Sequence, residues 1–302
     1  MTETINAGTA PHLFCFGLGY SAQVLAGRLA SEGWAVSGTC RDEAARQALA
    51  AKHIRAHLFD REHPLDDPVA ALSGVTDVLS SVPPDGEGDP VLDRHGADIA
   101  SMSGLRWIGY LSTTGVYGDT GGTLVDETAP LNPTSERSCR RIAAERRWLE
   151  LYRSHRLPVH VFRLAGIYGP GRSAIDQVRA GWARRIDKPG HLFSRIHVDD
   201  VASTLRASMA RPDSGAIYNV CDDVPASQGD VVAYACALLG VTPPTPVPLE
   251  ELTGEMSPMA LSFWRDNRRV DNSRMKQDLG AQLRYPDYRS GLQALLQSKP
   301  SG

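Results

Sequence analysis

The sequence predicts an α/β protein built on a doubly wound parallel sheet. Two observations predict this class. Apolar, strand-like runs alternate with helix-like stretches through the first half of the chain, as a parallel sheet with crossover helices requires. The first run, residues 14–16, breaks into glycines and leads into an amphipathic stretch over residues 23–29. With 42% hydrophobic and 22% charged residues, the 302-residue chain has ordinary globular composition and can bury a sizeable core.

The glycine turn has the spacing G-x-G-x-x-A, with Gly17, Gly19 and Ala22 at the three small positions. Gly17 can take the positive φ of a tight turn, and Gly19 lets the backbone approach a pyrophosphate on the helix N-terminus. Ala22 stands where a third glycine would pack helix on strand, and we include Tyr20 in the same site. The turn therefore predicts a dinucleotide-binding Rossmann unit. The alternative is a plain strand-to-helix turn.

The end of the second predicted strand bears on the choice of cofactor. In a Rossmann unit an Asp or Glu at this place binds the ribose hydroxyls of NAD. Here Cys40 is followed by Arg41, whose guanidinium can bind the 2′-phosphate of NADP. We therefore expect NADP rather than NAD, with Asp60 at the end of the third predicted strand also in the cofactor site. The alternative is that Arg41 only begins a solvated turn with Asp42.

Composition and charge argue against several other classes. The formal net charge of -3 gives no electrostatic footprint for nucleic acid or an anionic membrane. No apolar stretch approaches the ~20 residues that span a bilayer. Five cysteines are scattered without C-x-x-C spacing, which predicts a reduced, cytoplasmic compartment. His53 and His57 have an i, i+4 spacing but lie at the approach to a strand, so we expect no metal site.

Further motifs follow in a fixed order along the chain. Besides the glycine turn, they are residues 113–118, 133–145, 162–171, 196–201, 217–220, and 271–274 with 279–280. With these motifs the chain resembles the extended short-chain dehydrogenases/reductases, the group that contains the nucleotide-sugar epimerases and dehydratases. The resemblance covers nearly the whole chain.

The resemblance implies both an architecture and an activity. It implies an NAD(P)-binding Rossmann domain over residues 1–166 and a smaller C-terminal α/β substrate lobe over residues 167–302, of which residues 193–222 return to the sheet. It also implies hydride transfer on a sugar or nucleotide-linked substrate such as a nucleotide sugar. Members of the family often pair through two helices, so a homodimer is a further expectation.

The chain departs from the family at the proton-transfer pair. In the family a Ser or Thr polarises the substrate oxygen, and Thr113 holds that place. The family pattern P-x-S-x-Y-x-x-S-K-x-x-x-E aligns without a gap from Pro133 to Glu145, which places Arg137 at the Tyr position and Arg141 at the Lys position. Arginine has no accessible neutral form, so Arg137 cannot act as the general acid and base.

The two arginines can still serve a ligand. Arg141 can keep the family's ribose contact, and Arg137 one helical turn away can bind a substrate anion. The alternative is a solvated basic helix. Proton transfer then needs another group, and Tyr117 is the nearest candidate in sequence, with Cys139 and His197 behind it. A nearby cation such as Arg141 would be needed to lower the Tyr117 pKa.

The second half of the chain supplies candidate substrate residues. Tyr168 begins a loop that in the family closes over the nicotinamide or the substrate. Arg195 belongs to a group of cations that suits a phosphate or a carboxylate, or else is simply a surface residue.

Three functions remain open from the sequence. The first is an atypical NADP-binding reductase or epimerase. The second is a non-catalytic NADP(H)-binding sensor or partner-binding protein, as the missing Tyr and Lys suggest. The third is a chain that keeps the fold without the cofactor, which the intact glycine turn disfavours.

Overall fold

The structure is a computed structural model that describes residues 10–297. The strands are β1 (His12–Phe16), β2 (Ala35–Cys40), β3 (Arg55–Leu58), β4 (Asp77–Ser80), β5 (Trp107–Thr113), β6 (Leu124–Val125), β7 (Val159–Leu164), β8 (Gly166–Tyr168), β9 (Ile186–Asp187), β10 (Arg195–His197), β11 (Ile217–Val220), β12 (Val247–Pro248) and β13 (Arg269–Val270). The helices are α1 (Tyr20–Ser31), α2 (Glu43–Ala50), α3 (Pro68–Ala71), α4 (Pro90–Ser101), α5 (Glu136–His155), α6 (Ala174–Arg179), α7 (Val198–Ala210), α8 (Gln228–Leu239), α9 (Leu249–Leu252), α10 (Pro258–Arg265), α11 (Ser273–Leu279) and α12 (Tyr288–Gln297). A short 3-10 helix, Thr114–Tyr117, follows β5.

Seven strands form one parallel sheet in the order β11-β7-β5-β4-β1-β2-β3. From β1 the chain builds the sheet first through β2 and β3, then returns to the other side of β1 with β4 and β5. The direction of winding therefore reverses between β1 and β4, and ligands bind at such a switch point in open α/β sheets. The predicted doubly wound parallel sheet is confirmed.

The described chain forms two compact units. The first runs to Leu111 and takes in Ala144–Val161 and Met209–Ala216, whereas the second takes in Ser112–Ala143, Phe162–Ser208 and the residues from Ile217 onward. The predicted division at residues 166 and 167 stays a prediction. Within residues 10–297, no helix is both long and apolar enough to cross a bilayer.

The core of the first unit is built around β1. The side chains of Leu13, Phe14 and Phe16 are fully buried, because a central parallel strand is covered on both faces. The rings of Phe14 and Phe16 meet edge-to-face with 4.9 Å between centroids. Helix α1 contributes Leu25 and Leu29, which are also fully buried. This packing fixes the carboxyl end of β1, where the glycine turn begins.

The second unit has small sheets and its own apolar clusters. Strands β8 and β10 pair in parallel, as do β9 with β12 and β6 with β13. One cluster joins Tyr168 to Ile175, Ala235 and Leu292, which come from α6, α8 and α12. Another joins Tyr117 to residues around the start of α5 and the end of β7.

Candidate functional site

The glycine turn lies at the carboxyl end of β1, beside the switch point of the sheet. Gly17 has a φ of +85°, and a Cβ there would lie 2.8 Å from the Ser81 Oγ. The backbone N–H of Gly17 donates to the Thr39 Oγ1 at 2.8 Å, and the Ser81 hydroxyl donates to the Gly17 carbonyl at 2.5 Å. Side chains from the ends of β2 and β4 thus fix the turn, and glycine is required at its first position.

Gly19 is not explained by the protein's own packing. Its φ of -83° suits any residue, and a Cβ there would meet no described atom within 4 Å. It immediately precedes α1, and no side chain in the described range caps that helix. The N-terminus of α1 therefore presents backbone N–H groups to an acceptor from outside the chain. Tyr20 begins the helix and is half-buried, whereas Ala22 is fully buried. This arrangement fits the pyrophosphate of a dinucleotide.

The two residues predicted beside the adenosine have different surroundings. Arg41 directly follows β2 and is exposed, while the neighbouring Asp42 caps α2. The Asp60 carboxylate accepts backbone hydrogen bonds from Glu62 and His63, each at 2.8 Å. Its hydrogen bond from the His63 ring, and then those backbone bonds, hold the Asp60 pKa below its ordinary value. Arg41 is thus accessible to a ligand, whereas Asp60 is already engaged in its own turn.

Thr113 stands where β5 ends and the 3-10 helix begins. Its Oγ1 accepts a hydrogen bond from the Gly115 N–H at 3.1 Å. This contact orients the side chain while leaving the hydroxyl hydrogen for another acceptor. The geometry suits a donor to a substrate oxygen, which is the role the sequence predicts for Thr113.

Tyr117 does not suit the proton-transfer role predicted for it. Its side chain is 1% exposed, and its hydroxyl donates to the Asn219 Oδ1 at 2.7 Å and accepts from the Arg163 Nη1 at 2.8 Å. Burial raises the pKa of Tyr117 to about 12 despite the Arg163 guanidinium, which lies 5.0 Å from the ring centre. A general acid or base works best with a pKa near the operating pH. Tyr117 is therefore a structural residue in a buried polar network.

Arg163 and Asn219 lie in the motifs over residues 162–171 and 217–220, but neither was predicted as a site residue. Arg163 follows Phe162 in β7, and Asn219 follows Tyr218 in β11. Both side chains are buried, at 3% and 0% exposure. A buried arginine in a strand signals an internal hydrogen-bond network.

The start of α5 packs on the turn that carries Thr113. A Cβ at Gly115 would lie 3.2 Å from the Ser138 Oγ and 3.4 Å from the Thr113 Oγ1, so the glycine separates the two hydroxyls. Ser138 is buried, and its Oγ lies 2.9 Å from the Ser135 Oγ. The structure thus brings the helix that carries the two predicted arginines against Thr113.

The two arginines of α5 differ in exposure. Arg137 is exposed and therefore accessible to a ligand, whereas Arg141 one turn later is 7% exposed. Arg140 pairs with Glu136 on the helix surface, as a solvated basic helix requires. Arg140 thus fits the alternative of a solvated basic helix. Arg141 does not, because its side chain is buried.

Tyr168 is a core residue. It is 8% exposed, and its ring meets His197 edge-to-face with 5.2 Å between centroids. Its hydroxyl donates to the Asp287 carbonyl at 3.3 Å, and a Cβ at Gly291 would lie 2.1 Å from that hydroxyl. Burial raises the Tyr168 pKa. The second unit packs around this ring, and the substrate contact of Tyr168 stays a prediction.

Arg195 joins two backbone segments instead of presenting a free guanidinium. Its Nη1 donates to the Phe193 carbonyl at 2.9 Å and to the Ala226 carbonyl at 2.7 Å. Burial lowers the Arg195 pKa, and the nearby Asp222 carboxylate opposes that effect. Both carboxylate oxygens of Asp222 are buried without a hydrogen-bond partner among the described residues. Burial raises the Asp222 pKa to about 8. Arg195 is thus mainly a structural residue.

His197 and Cys139 were the other candidates for proton transfer. His197 is 1% exposed, its Nδ1 accepts from the Asp199 N–H at 3.1 Å, and burial lowers its pKa to about 4. Cys139 is an exposed free thiol on α5. Within residues 10–297, no group of three or more His, Cys, Asp or Glu side chains is placed to hold a metal ion.

Comparison with known proteins agrees with this fold. Residues 97–221 match the model of the NAD dependent epimerase/dehydratase family. The structure is similar to that of a functionally unknown conserved protein from Silicibacter pomeroyi DSS, at 49% identity over 95% of this chain and 98% of that chain, with a TM-score of 0.86. No curated protein sequence matches the chain.

Two more distant structures share the fold. One is dTDP-glucose 4,6-dehydratase from Bacillus anthracis in complex with NAD, at 17% identity over 96% of each chain and a TM-score of 0.73. The other is UDP-glucuronic acid 4-epimerase from Bacillus cereus in complex with UDP-glucuronic acid and NAD, at 14% identity over 94% of this chain and 98% of that chain, with a TM-score of 0.77. Residues 97–221 thus carry the NAD dependent epimerase/dehydratase family domain, in line with the motifs by which the chain resembles the extended short-chain dehydrogenases/reductases.

Proposed function

We propose that the protein is an NAD(P)-dependent, epimerase-like oxidoreductase that holds a nicotinamide dinucleotide at the glycine turn. The observation that carries the proposal is Gly19, which has neither a positive φ nor a described neighbour within 4 Å of its Cβ position. A glycine without an internal requirement, at the start of a helix beside the switch point, is what close approach of a pyrophosphate needs. When bound, such a dinucleotide supplies hydride transfer.

The relatives support a sugar or nucleotide-linked substrate. The dehydratase is a complex with NAD, and the 4-epimerase is a complex with UDP-glucuronic acid and NAD. In the proposal, the exposed Arg137 binds a phosphate or carboxylate of the substrate, because a guanidinium forms charge-assisted and often bidentate hydrogen bonds with such groups. The proposal includes a cytoplasmic location and a homodimer as further expectations.

The cofactor preference rests on one residue. The two distant relatives hold NAD. In this chain the exposed Arg41 takes the place after β2 where an acidic residue would bind the free ribose hydroxyls. We propose NADP on this ground, with NAD as the alternative.

The catalytic assignment centres on Thr113. Its hydroxyl hydrogen can be donated to a substrate oxygen while its Oγ1 accepts from Gly115. Arg141 takes the family's Lys place and is proposed to contact the nicotinamide ribose. Tyr117 has no part in proton transfer in this proposal, because its hydroxyl is held by Asn219 and Arg163.

A second candidate function follows from the residues at the family's Tyr and Lys positions. If Arg137 and Arg141 replace the family's Tyr and Lys and Tyr117 is locked in the core, the chain has lost the known proton donor of its family. Such a protein can bind NADP(H) as a sensor or present a surface to a partner without turnover. This candidate differs from the first only in catalysis.

A substrate screen separates the two candidates. The protein is incubated with NADPH or NADP and a panel of nucleotide sugars and carbonyl compounds, and both the cofactor absorbance and the epimeric products are followed. The first candidate predicts turnover that Thr113→Val abolishes and Thr113→Ser retains, with Thr120→Val as the matched control. Dinucleotide binding without any turnover would favour the second candidate. Turnover that survives in Thr113→Val would contradict the assigned role.

A further inference from the structure

An ion-pair cluster in the first unit is centred on Arg61, which follows β3. Its guanidinium makes a bidentate contact with Asp85, from Nε at 2.6 Å and from Nη2 at 2.7 Å. Its Nη1 also donates to the Asp93 carboxylate at 2.8 Å, and Arg147 donates to the other oxygen of Asp93 at 2.5 Å. The Arg61 side chain is only 16% exposed, so solvent and salt screen these pairs less than surface pairs.

This cluster holds the middle of the β4–α4 loop, defined here as residues 81–89. The start of the loop is fixed by the Ser81 hydrogen bond to Gly17. Its end is fixed by the buried Asp89, whose carboxylate accepts from the Trp148 Nε1 at 2.8 Å and caps α4. Between these points the sequence Pro-Pro-Asp-Gly-Glu-Gly has no large apolar side chain to anchor it. Asp85 is therefore the anchor of the middle of the loop, and Arg61 is its partner.

The β4–α4 loop lies across the switch point from the glycine turn. It leaves the carboxyl end of β4, and β4 pairs directly with β1. A Cβ at Gly17 would lie 3.2 Å from the Val82 Cγ2, so the two segments are in contact. Because ligands of this architecture bind in the crevice outside the strand ends at the switch point, the glycine turn and this loop form its two walls.

Arg61 itself is held in place independently of its guanidinium. Its backbone carbonyl accepts a hydrogen bond from the Arg94 Nε at 2.7 Å. The following segment is tied to the same helix, because the Leu65 N–H donates to the His95 Nε2 at 3.1 Å. A change of the Arg61 side chain therefore removes the contact to the loop while leaving the segment after β3 attached to α4.

We propose that Arg61 is a positioning residue that holds the β4–α4 loop as the second wall of the dinucleotide crevice. The inference rests on the proposed function. Arg61 raises the affinity for the dinucleotide without contacting it. It holds the β4–α4 loop in place before binding, so that the ligand does not lose binding free energy in ordering the loop. A lysine has the charge but not the planar fork that contacts both oxygens of Asp85, so Lys cannot replace Arg61 fully.

The test measures the NADH and NADPH dissociation constants of the full chain by tryptophan quenching. The variants are Arg61→Gln, Arg61→Lys, Asp85→Asn and the double variant Arg61→Gln with Asp85→Asn. We expect Arg61→Gln and Asp85→Asn each to weaken binding about tenfold, with Arg61→Lys between them and the unmodified protein. The double variant should be no weaker than the weaker single variant, because Asp85→Asn adds no loss once Arg61→Gln has removed the Arg61–Asp85 contact. Arg46→Gln, which removes an exposed pair with Glu43, is the control and should bind as the unmodified protein does.

Thermal unfolding of each variant separates positioning from simple stabilisation. A dissociation constant within twofold of the unmodified value in Arg61→Gln, even with a lower melting temperature, would overturn the inference and leave the proposed function intact. Additive losses in the double variant would also overturn it. If the unmodified protein binds neither dinucleotide, the proposed function fails and this inference fails with it. Asp85→Asn provides the same test should Arg61→Gln not fold.

Discussion

The glycine turn and the buried polar groups of the second unit differ in whether the protein's own packing explains their residues. Gly19 has no internal role that the structure shows, and it faces open space. Tyr117 has every polar function satisfied inside the protein. Both residues stand in motifs by which the chain resembles the extended short-chain dehydrogenases/reductases. Only Gly19 leaves room for a ligand, because a Cβ there would meet no described atom within 4 Å. A matched motif therefore indicates ligand binding only where its residue has no role in the protein's own packing or hydrogen bonding.

We expect the largest change in dinucleotide affinity from a substitution in the glycine turn that leaves stability unchanged. Gly19→Val places a branched side chain where the backbone is proposed to meet a pyrophosphate. We expect dinucleotide affinity to fall about 100-fold, or about 2.7 kcal/mol, with an unchanged melting temperature. Isothermal titration and thermal unfolding measure the two quantities.

A glycine in the same helix provides the control for this change. Gly27 lies in α1 and is exposed, and a Cβ there also meets no described atom within 4 Å. Gly27→Ala should leave affinity unchanged and raise stability by about 0.5–1 kcal/mol. Equal affinity in Gly19→Val and the unmodified protein would remove the distinction between the two glycines.

Tyr117→Phe is expected to lower stability and leave dinucleotide affinity unchanged. It leaves Asn219 and Arg163 buried with one hydrogen-bond partner fewer, which should lower the free energy of unfolding by about 1–3 kcal/mol. Dinucleotide affinity and any turnover per folded molecule should not change. Urea denaturation gives the stability, and the substrate screen gives the turnover. Loss of turnover with full stability would restore Tyr117 as a catalytic residue.

Asp222 gives an effect on stability that depends on pH. Its pKa is raised by burial to about 8, whereas an unfolded Asp loses its proton near pH ~4. Between these values the folded state binds more protons, so Asp222 makes the free energy of unfolding fall as pH rises, by at most about 1.4 kcal/mol per pH unit. Asp222→Asn should remove this component.

The difference between the protein and the Asp222→Asn variant isolates that component. Buried histidines such as His191 and His197 have lowered pKa values and give a slope of the opposite sign below pH ~6.5. Those groups are the same in both proteins and cancel in the difference. Parallel stability curves from pH 5 to pH 8 would show that the Asp222 carboxylate ionises normally in the folded protein.

The fold and the backbone features of the site were predictable from the sequence, because they depend on short-range patterns. The alternation of strands and helices defines the parallel sheet, and the spacing of Gly17 and Gly19 defines a turn at the end of β1. The end of β5 at Thr113 is likewise indicated by a short-range pattern, the apolar run that precedes it.

Side-chain exposure was not predictable, because it depends on contacts between distant segments. Tyr168 is covered by Gly291, more than a hundred residues later in the chain, and Tyr117 is bound by Asn219. No local pattern reports such contacts. The Arg61 contact with Asp85 is of the same kind, since it joins loops after two strands that are not neighbours in the sheet.

The most direct test of the central claim is a titration of the purified protein with NADPH and with NADH. Quenching of the five tryptophans and energy transfer to the nicotinamide report binding. We expect saturable binding that is tighter for NADPH than for NADH, and we expect Arg41→Ala to abolish this preference. Binding of NADH with no advantage for NADPH would correct the cofactor to NAD. No binding of either dinucleotide would contradict the proposed dinucleotide site at the glycine turn and favour a scaffold that keeps the fold without the cofactor.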